Sequence, residues 1–216
     1  NEFFIQQDGN LNTFIARDVT GDNNLVDVYQ QGDDNQFLLQ PFTGDDNVVF
    51  IQQEGNSNRI EAVGGLVGND NVVDVYQRGD ENAATIATGG DNLDVEIIQR
   101  GDLNQAELNV QGSGSAASIT SRGDENLALV DVNGTDNDIT LKQNGNNNEA
   151  VVTGETASTV ADIQQNGDLN LVDVALRAIL GQEPRVVPPE TYLRRTHDGR
   201  VLEIYTRMLP EGGMVR

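Results

Sequence analysis

The chain has 216 residues, with 35 Asp or Glu against 13 Lys or Arg, a formal charge of -22, a single His, and neither Cys nor Trp. Such acidity makes nucleic acid an unexpected partner, and the lack of Cys rules out a disulfide framework. No run of about 18 apolar residues is present, so no helix is expected to span a membrane.

From its first residues the chain repeats itself. Gln-x-Gly-x-x-Asn recurs at Gln7, Gln30, Gln53, Gln77, Gln99, Gln143 and Gln165, with Ser121 replacing Gln once. The motif glycines Gly9, Gly32, Gly55, Gly79, Gly101, Gly123, Gly145 and Gly167 are 22–24 residues apart. A fixed period of this size means stacked units, none of which buries its own core alone. Before each glycine every second residue follows one rule: Asn24, Val26, Val28, Gln30, or Asn71, Val73, Val75, Gln77. That is strand alternation, with an inward row of Asn, two apolar residues and Gln.

After the glycine, strings such as Gly32–Asn35 and Gly79–Asn82 supply a corner, because Gly tolerates positive φ and Asp or Asn satisfies turn backbone. A second arm then follows, marked by Gly21, Gly44, Gly68, Gly89, Gly112, Gly134 and Gly154. Two strands and two corners complete a turn, which predicts an all-β, flattened β-solenoid of about eight rungs. Recurrence at one site on every rung lets buried amides at Gln7, Gln30, Gln53, Gln77, Gln99, Gln143 and Gln165 bond to one another as a ladder. The same holds for Asn12, Asn35, Asn58, Asn82, Asn104, Asn126, Asn148 and Asn170. Asn92 lies nine residues before Gly101 instead of eight, predicting a bulge near Asp91 to Asp94. The second arms at Gly112 to Ser115 and Gly154 to Ala157 lack Asn and are expected to be the loosest.

The repeat occupies residues 1–176. Pro184, Pro188 and Pro189 mark a linker over 177–190, and residues 191–216 read as a hairpin in which Thr191–Thr196 and Arg200–Leu209 flank His197 to Gly199. Residues 178–216 hold six Arg against five Asp or Glu, so this tail carries +1 and the preceding repeat -23.

The residues Leu25 to Leu39, LVDVYQQGDDNQFLL, resemble the repeat of the bacterial curlins, subunits of extracellular functional amyloid. The resemblance covers roughly residues 1–176. It implies an extracellular, cell-surface, self-assembling fibre of the biofilm matrix, with a secretion pore and a nucleator protein as partners. The strong acidity, the second arms without Gln and the tail depart from that pattern. The sequence reads as the mature portion of a secreted precursor.

Other chemistry finds less support. One His, no Cys and no phosphate-loop or Gly-x-Ser-x-Gly pattern leave only periodic carboxylates, so neither an enzyme nor a cofactor is expected. Asp80, Asp102 and Asp124 follow the glycine on three consecutive rungs, a like-charge column suited to weak, nonspecific cation binding and not to a defined metal site. Arg78, Arg100 and Arg122 precede those glycines, giving Arg-Gly-Asp three times; this tripeptide can be an integrin ligand, and mutual neutralisation of the two columns is the simpler expectation. No repeated Thr face suited to ice is present.

The residues point to a fibre-forming structural subunit. Uncovered strand edges at the ends of a solenoid template the next molecule, and head-to-tail joining of identical subunits makes an open filament. The polymerising surfaces expected are the first rung, with Asn1, Phe3 and Ile5, and the rung of Gln165, Asn170, Val172 and Val174. A nucleating or surface-anchoring subunit, or a monomeric adhesin whose tail caps the edge, are the alternatives.

Overall fold

Period-two alternation puts the apolar residues of each arm on one side, and a single narrow core receives them from both arms. The computed structural model describes residues 1–111, 116–132, 137–153 and 160–175, together with the strands Thr191–Arg195, Val201–Tyr205, Arg207–Met208 and Met214–Val215. Among these residues all regular elements are β-strands.

The first arms form an eight-stranded parallel sheet: Glu2–Asp8, Leu25–Gln31, Val48–Glu54, Val72–Arg78, Asp94–Arg100, Ala116–Arg122, Asp138–Asn144 and Val160–Asn166. The motif aligns throughout, with Gln7 opposite Gln30, Gln30 opposite Gln53, and so on to Gln143 opposite Gln165. The second arms form the facing parallel sheet. It runs from Thr13–Ala16 through Gln36–Thr43, Arg59–Val67, Ala83–Gly89, Gln105–Gln111, Leu127–Val132 and Glu149–Thr153 to Leu171–Ala175, with Val19–Thr20 also on Gln36–Thr43. Arms alternate between sheets along the chain, so this is a β-solenoid of two-strand turns.

Between the sheets each rung contributes a few aliphatic side chains. Val26, Val28, Phe37 and Leu39 fill one rung, Val95, Ile97, Ala106 and Leu108 another, all at most 2% exposed. Burial of a Val or Leu stabilises by about 1.5–3 kcal/mol, so no rung alone offsets the ordering of its 22–24 residues. Phe14 stacks on Phe37 with centroids 5.5 Å apart, and Phe3 lies 6.5 Å from Phe14 at the first end.

Two readings need correction. No bulge occurs near Asp91 to Asp94: Asp94–Arg100 pairs without a break against both Val72–Arg78 and Ala116–Arg122. The corner glycine there is Gly90, at φ +121°, and not Gly89. Asn92 accordingly takes the left-handed corner position at φ 59°, and Leu93 stands where other rungs carry the buried Asn. The irregularities lie in the second sheet, between Gln40 and Phe42 and between Ala62 and Leu66. Pro41 has no N–H to give to a ladder.

The arms at Gly112 to Ser115 and Gly154 to Ala157, Gly134, the linker 177–190 and His197 to Gly199 lie outside the described residues. In the tail Thr191–Arg195 and Val201–Tyr205 pair antiparallel, Thr191 opposite Tyr205, as a hairpin requires.

Candidate functional site

The corners show why the motif spacing is strict. The first-corner glycines have φ between 103° and 124°. A Cβ on Gly32 would lie 2.0 Å from the carbonyl oxygen of Gly55 on the next rung, and one on Gly101 2.3 Å from that of Gly123. Rungs approach each other there through backbone alone. Two residues on, Leu11, Asp34, Ser57, Glu81, Leu103, Glu125, Asn147 and Leu169 all adopt φ of 54–58°.

Stacked on this frame, the Gln side chains form a directional ladder. Gln7 Nε2 donates to Gln30 Oε1 at 2.6 Å, Gln30 to Gln53 at 2.7 Å, Gln53 to Gln77 at 3.0 Å, Gln77 to Gln99 at 2.8 Å and Gln143 to Gln165 at 2.9 Å. The second amide hydrogen goes to a backbone carbonyl across the core: Thr13 for Gln30, Gln36 for Gln53, Arg59 for Gln77, Glu149 for Gln165. Gln30, Gln53, Gln77, Gln99 and Gln143 are wholly buried, which these bonds permit. The ladder breaks once: Gln99 donates to the Ala83 carbonyl, and Ser121 Oγ donates onward to Gln143 Oε1 at 3.1 Å.

The Asn column works at the corner. Asn58 Nδ2 donates back to Asn35 Oδ1 at 3.0 Å and forward to the Gly79 carbonyl at 2.7 Å, while its backbone N–H also donates to Asn35 Oδ1. Asn12, Asn35, Asn82, Asn104, Asn126, Asn148 and Asn170 are linked in the same column. A second Asn column runs through Asn1, Asn24, Asn47 and Asn71 at the other corner. It stops at Leu93, and Asn71 Nδ2 is buried without a partner.

A third column was not anticipated as a structural element. The backbone N–H after each first-corner glycine donates to the side chain at the same position one rung on: Asn10 to Asp33 Oδ1, Asn56 to Asp80, Asp80 to Asp102, Asp102 to Asp124, Asp124 to Asn146 and Asn146 to Asp168, at 2.7–2.9 Å. Only Asp or Asn occupies that position in all eight motifs, and this was the available signal. Asp80, Asp102 and Asp124, read above as a column for weak cation binding, thus each spend one oxygen on a backbone N–H. Among the described residues no group of three or more His, Cys, Asp or Glu could hold a metal ion.

The expected neutralisation of Arg78, Arg100 and Arg122 by these carboxylates is not found. Among the described residues the ion pairs join Arg59 to Glu61 and Arg78 to Glu54, the latter at 3.8 Å. Arg100 lies over the Tyr76 ring, 5.5 Å from its centroid, and the Tyr76 hydroxyl donates to Glu54. Burial, then the nearby Glu54, raises the Tyr76 pKa above 10.0. The Arg side chains project from the first sheet while the Asp side chains turn along the axis.

At the two ends the columns run out. On the first rung Phe3 and Ile5, core positions elsewhere, are each 40% exposed. Asn1 belongs to the second Asn column, donating to the Gly21 carbonyl and accepting from Asn24 N–H. On the last rung Gln165 is 3% exposed and Asn170 half-buried. The strand carrying Val172 and Val174 is described, but their side chains lie outside the described residues.

A molecule with these features is a parallel β-solenoid whose rungs are tied together by stacked amide columns in its interior and at its corners. The curlin associated repeat family model matches residues 68–99, 90–123 and 134–159. The middle of the chain thus carries sequence similar to the curlin associated repeat three times over. Comparisons with curated proteins and with solved structures give no match. Among the described residues no helix is long and apolar enough to cross a membrane.

Proposed function

We propose that this chain is the structural subunit of an extracellular, curli-like amyloid fibre at the cell surface, growing end to end by contact between the last rung of one copy and the first rung of the next. One observation carries this reading: the Gln column, the Asp and Asn column behind the first-corner glycine and the first Asn column are directional and reach both end rungs, and what one end leaves unused in them is the complement of what the other leaves unused.

Within the chain Gln143 Nε2 donates forward to Gln165 Oε1; continued once more, Gln165 donates to Gln7 Oε1 of the next copy. Asn146 N–H donates forward to Asp168 Oδ1; continued, Asp168 N–H donates to Asn10 Oδ1. Asn170 N–H and Nδ2 donate back to Asn148 Oδ1, and Asn12 would donate in the same way to Asn170 Oδ1. The junction then repeats the interior: Phe3 and Ile5 lose their exposure and Asn1, Val172 and Val174 join the stack. Unpaired parallel strand edges favour this addition, and identical head-to-tail contacts make an open filament. The similarity to the curlin repeat supports a secretion pore and a nucleator protein as partners.

The charge of -22 sets the conditions. Repulsion between copies slows assembly, and salt, divalent cations or mild acid lift it. Turbidity and electron microscopy of the purified chain at neutral and mildly acidic pH, with and without filament seeds, test the proposal. Seeded growth of filaments, faster in acid, is expected; discrete particles under every condition would refute it.

A further inference from the structure

Arg78, Arg100 and Arg122 stack at one register on three consecutive rungs, and Asp80, Asp102 and Asp124 stack on the same three. The rungs on either side lack both charges, with Glu54 and Asn56 before and Asn144 and Asn146 after. All six side chains are exposed. Between the columns run Gly79, Gly101 and Gly123, which with the Arg side chains line a shallow groove of about 510 Å³. No Arg of the column pairs with an Asp of the column, and Arg100 and Arg122 have no carboxylate partner among the described residues.

Two parallel rows of opposite charge separated by a row without side chains are self-complementary. A two-fold axis through Gly101, perpendicular to the solenoid axis, reverses both the order of the rungs and the sides of the groove. It places Arg100 against Asp102 of a second copy, Arg78 against Asp124 and Arg122 against Asp80. The contact is isologous, so each pairing occurs twice. The charge spacing of about 4.8 Å is the interstrand distance, hence the same in both copies, and three pairs meet in one register. On the middle rung Leu103 is 49% exposed beside the Asp column, and Ile98 is half-buried beside the Arg column. The same rotation brings each toward the other's counterpart.

We infer that this Arg-Gly-Asp face is a lateral docking surface for a second, antiparallel copy of the chain. It goes beyond end-to-end growth and does not require it: two single subunits, or two filaments, meet through the same face. A linear polyanion laid along the Arg groove is the competing occupant. It is disfavoured because the Asp column lies alongside the full length of the groove and the chain is acidic overall. Isolated surface pairs are weak, so the contact depends on several acting together and on the glycines allowing close approach.

The test uses the full chain and two triple variants, Arg78→Gln/Arg100→Gln/Arg122→Gln and Asp80→Asn/Asp102→Asn/Asp124→Asn. Asn keeps the Oδ1 that accepts the neighbouring backbone N–H and already stands in this position at Asn56 and Asn146, so the second variant preserves the corner. Lateral pairing is read as filament pairing by electron microscopy and, for unpolymerised protein, as dimer fraction by sedimentation velocity. The expected result is pairing in wild type, none in either variant alone, and recovery in their equimolar mixture, where one full Arg column meets one full Asp column. Wild type that stays single at every ionic strength overturns the inference, as do variants that pair like wild type. So does loss in the Arg variant with undiminished pairing in the Asp variant, the pattern of an anionic ligand bridging copies. Absence of filaments bears on end-to-end growth alone, because the sedimentation result is read without them.

Discussion

Gln99 and Ser121 face each other at the same position on consecutive rungs, and between them the internal amide ladder is interrupted. On either side the ladder resumes, Gln77 donating to Gln99 and Gln143 to Gln165. The short Ser side chain reaches forward and not back. Ser121→Gln is therefore expected to join the two halves and stabilise the subunit by about 1 kcal/mol. That corresponds to roughly 2–4 °C in melting temperature for a chain of this size, read by circular dichroism on unpolymerised protein.

Removing a ladder member has the opposite sign. Gln77→Leu leaves Gln53 Nε2 without its forward acceptor, Gln99 Oε1 without its donor and the Arg59 carbonyl without the amide that reaches it. The cost should be about 1–3 kcal/mol. The outward-facing, exposed Gln52→Leu, whose amide meets only the half-buried Glu54, should change stability by less than about 0.5 kcal/mol. Urea unfolding of both variants compares them directly.

The corner glycines separate folding from growth. A Cβ on Gly145 would sit 2.2 Å from the Gly167 carbonyl, whereas on Gly167 the nearest atom is Asn170 Nδ2 at 3.7 Å. Both have positive φ, so Ala at either site carries a backbone penalty of about 1–2 kcal/mol. Gly145→Ala should additionally separate two internal rungs and destabilise the subunit further. Gly167→Ala should leave a folded subunit that fails to elongate, since the Gly9 carbonyl of the next copy would meet the new methyl. Seeded growth alongside thermal unfolding reads the two effects apart.

Asp74 gives a pH signature. Burial first, and the neighbouring Asp94 second, raise its carboxyl above the ordinary 3.8. The folded state thus holds this proton more tightly than the unfolded chain does. Its contribution favours folding as pH falls through the raised value, is complete below 3.8, and is lost as pH rises. Asp74→Asn should stabilise the subunit at neutral pH and flatten this part of the profile, measured as urea midpoints between about pH 4 and 7.

Much of this was legible in the residues because a repeat states its own register. The rows Asn, apolar, apolar, Gln recur often enough to assign inside and outside on every rung, and the amide ladder follows from recurrence alone. Features set by a neighbouring rung were harder to read. Gly89 and Gly90 are adjacent, and only the position of the Gly90 carbonyl against Gly68 selects the second as the corner. Pro41 and the Gly64-Gly65 pair announce irregularity in the second sheet, yet the inward row by itself does not show where register slips. Arg100 and Asp102 look like partners along the chain; in space the corner turns one side chain out from the sheet and the other onto a backbone N–H.

Cryo-electron microscopy of filaments assembled from the full chain tests the central claim most directly. Eight rungs at about 4.8 Å set an axial subunit of roughly 38 Å. The account predicts that repeat, with β-density continuous across the junction, Gln165 against Gln7 and Asn170 against Asn12. Filaments joined through any other surface, or subunits separated at the junction by a gap in the ladder, would contradict it.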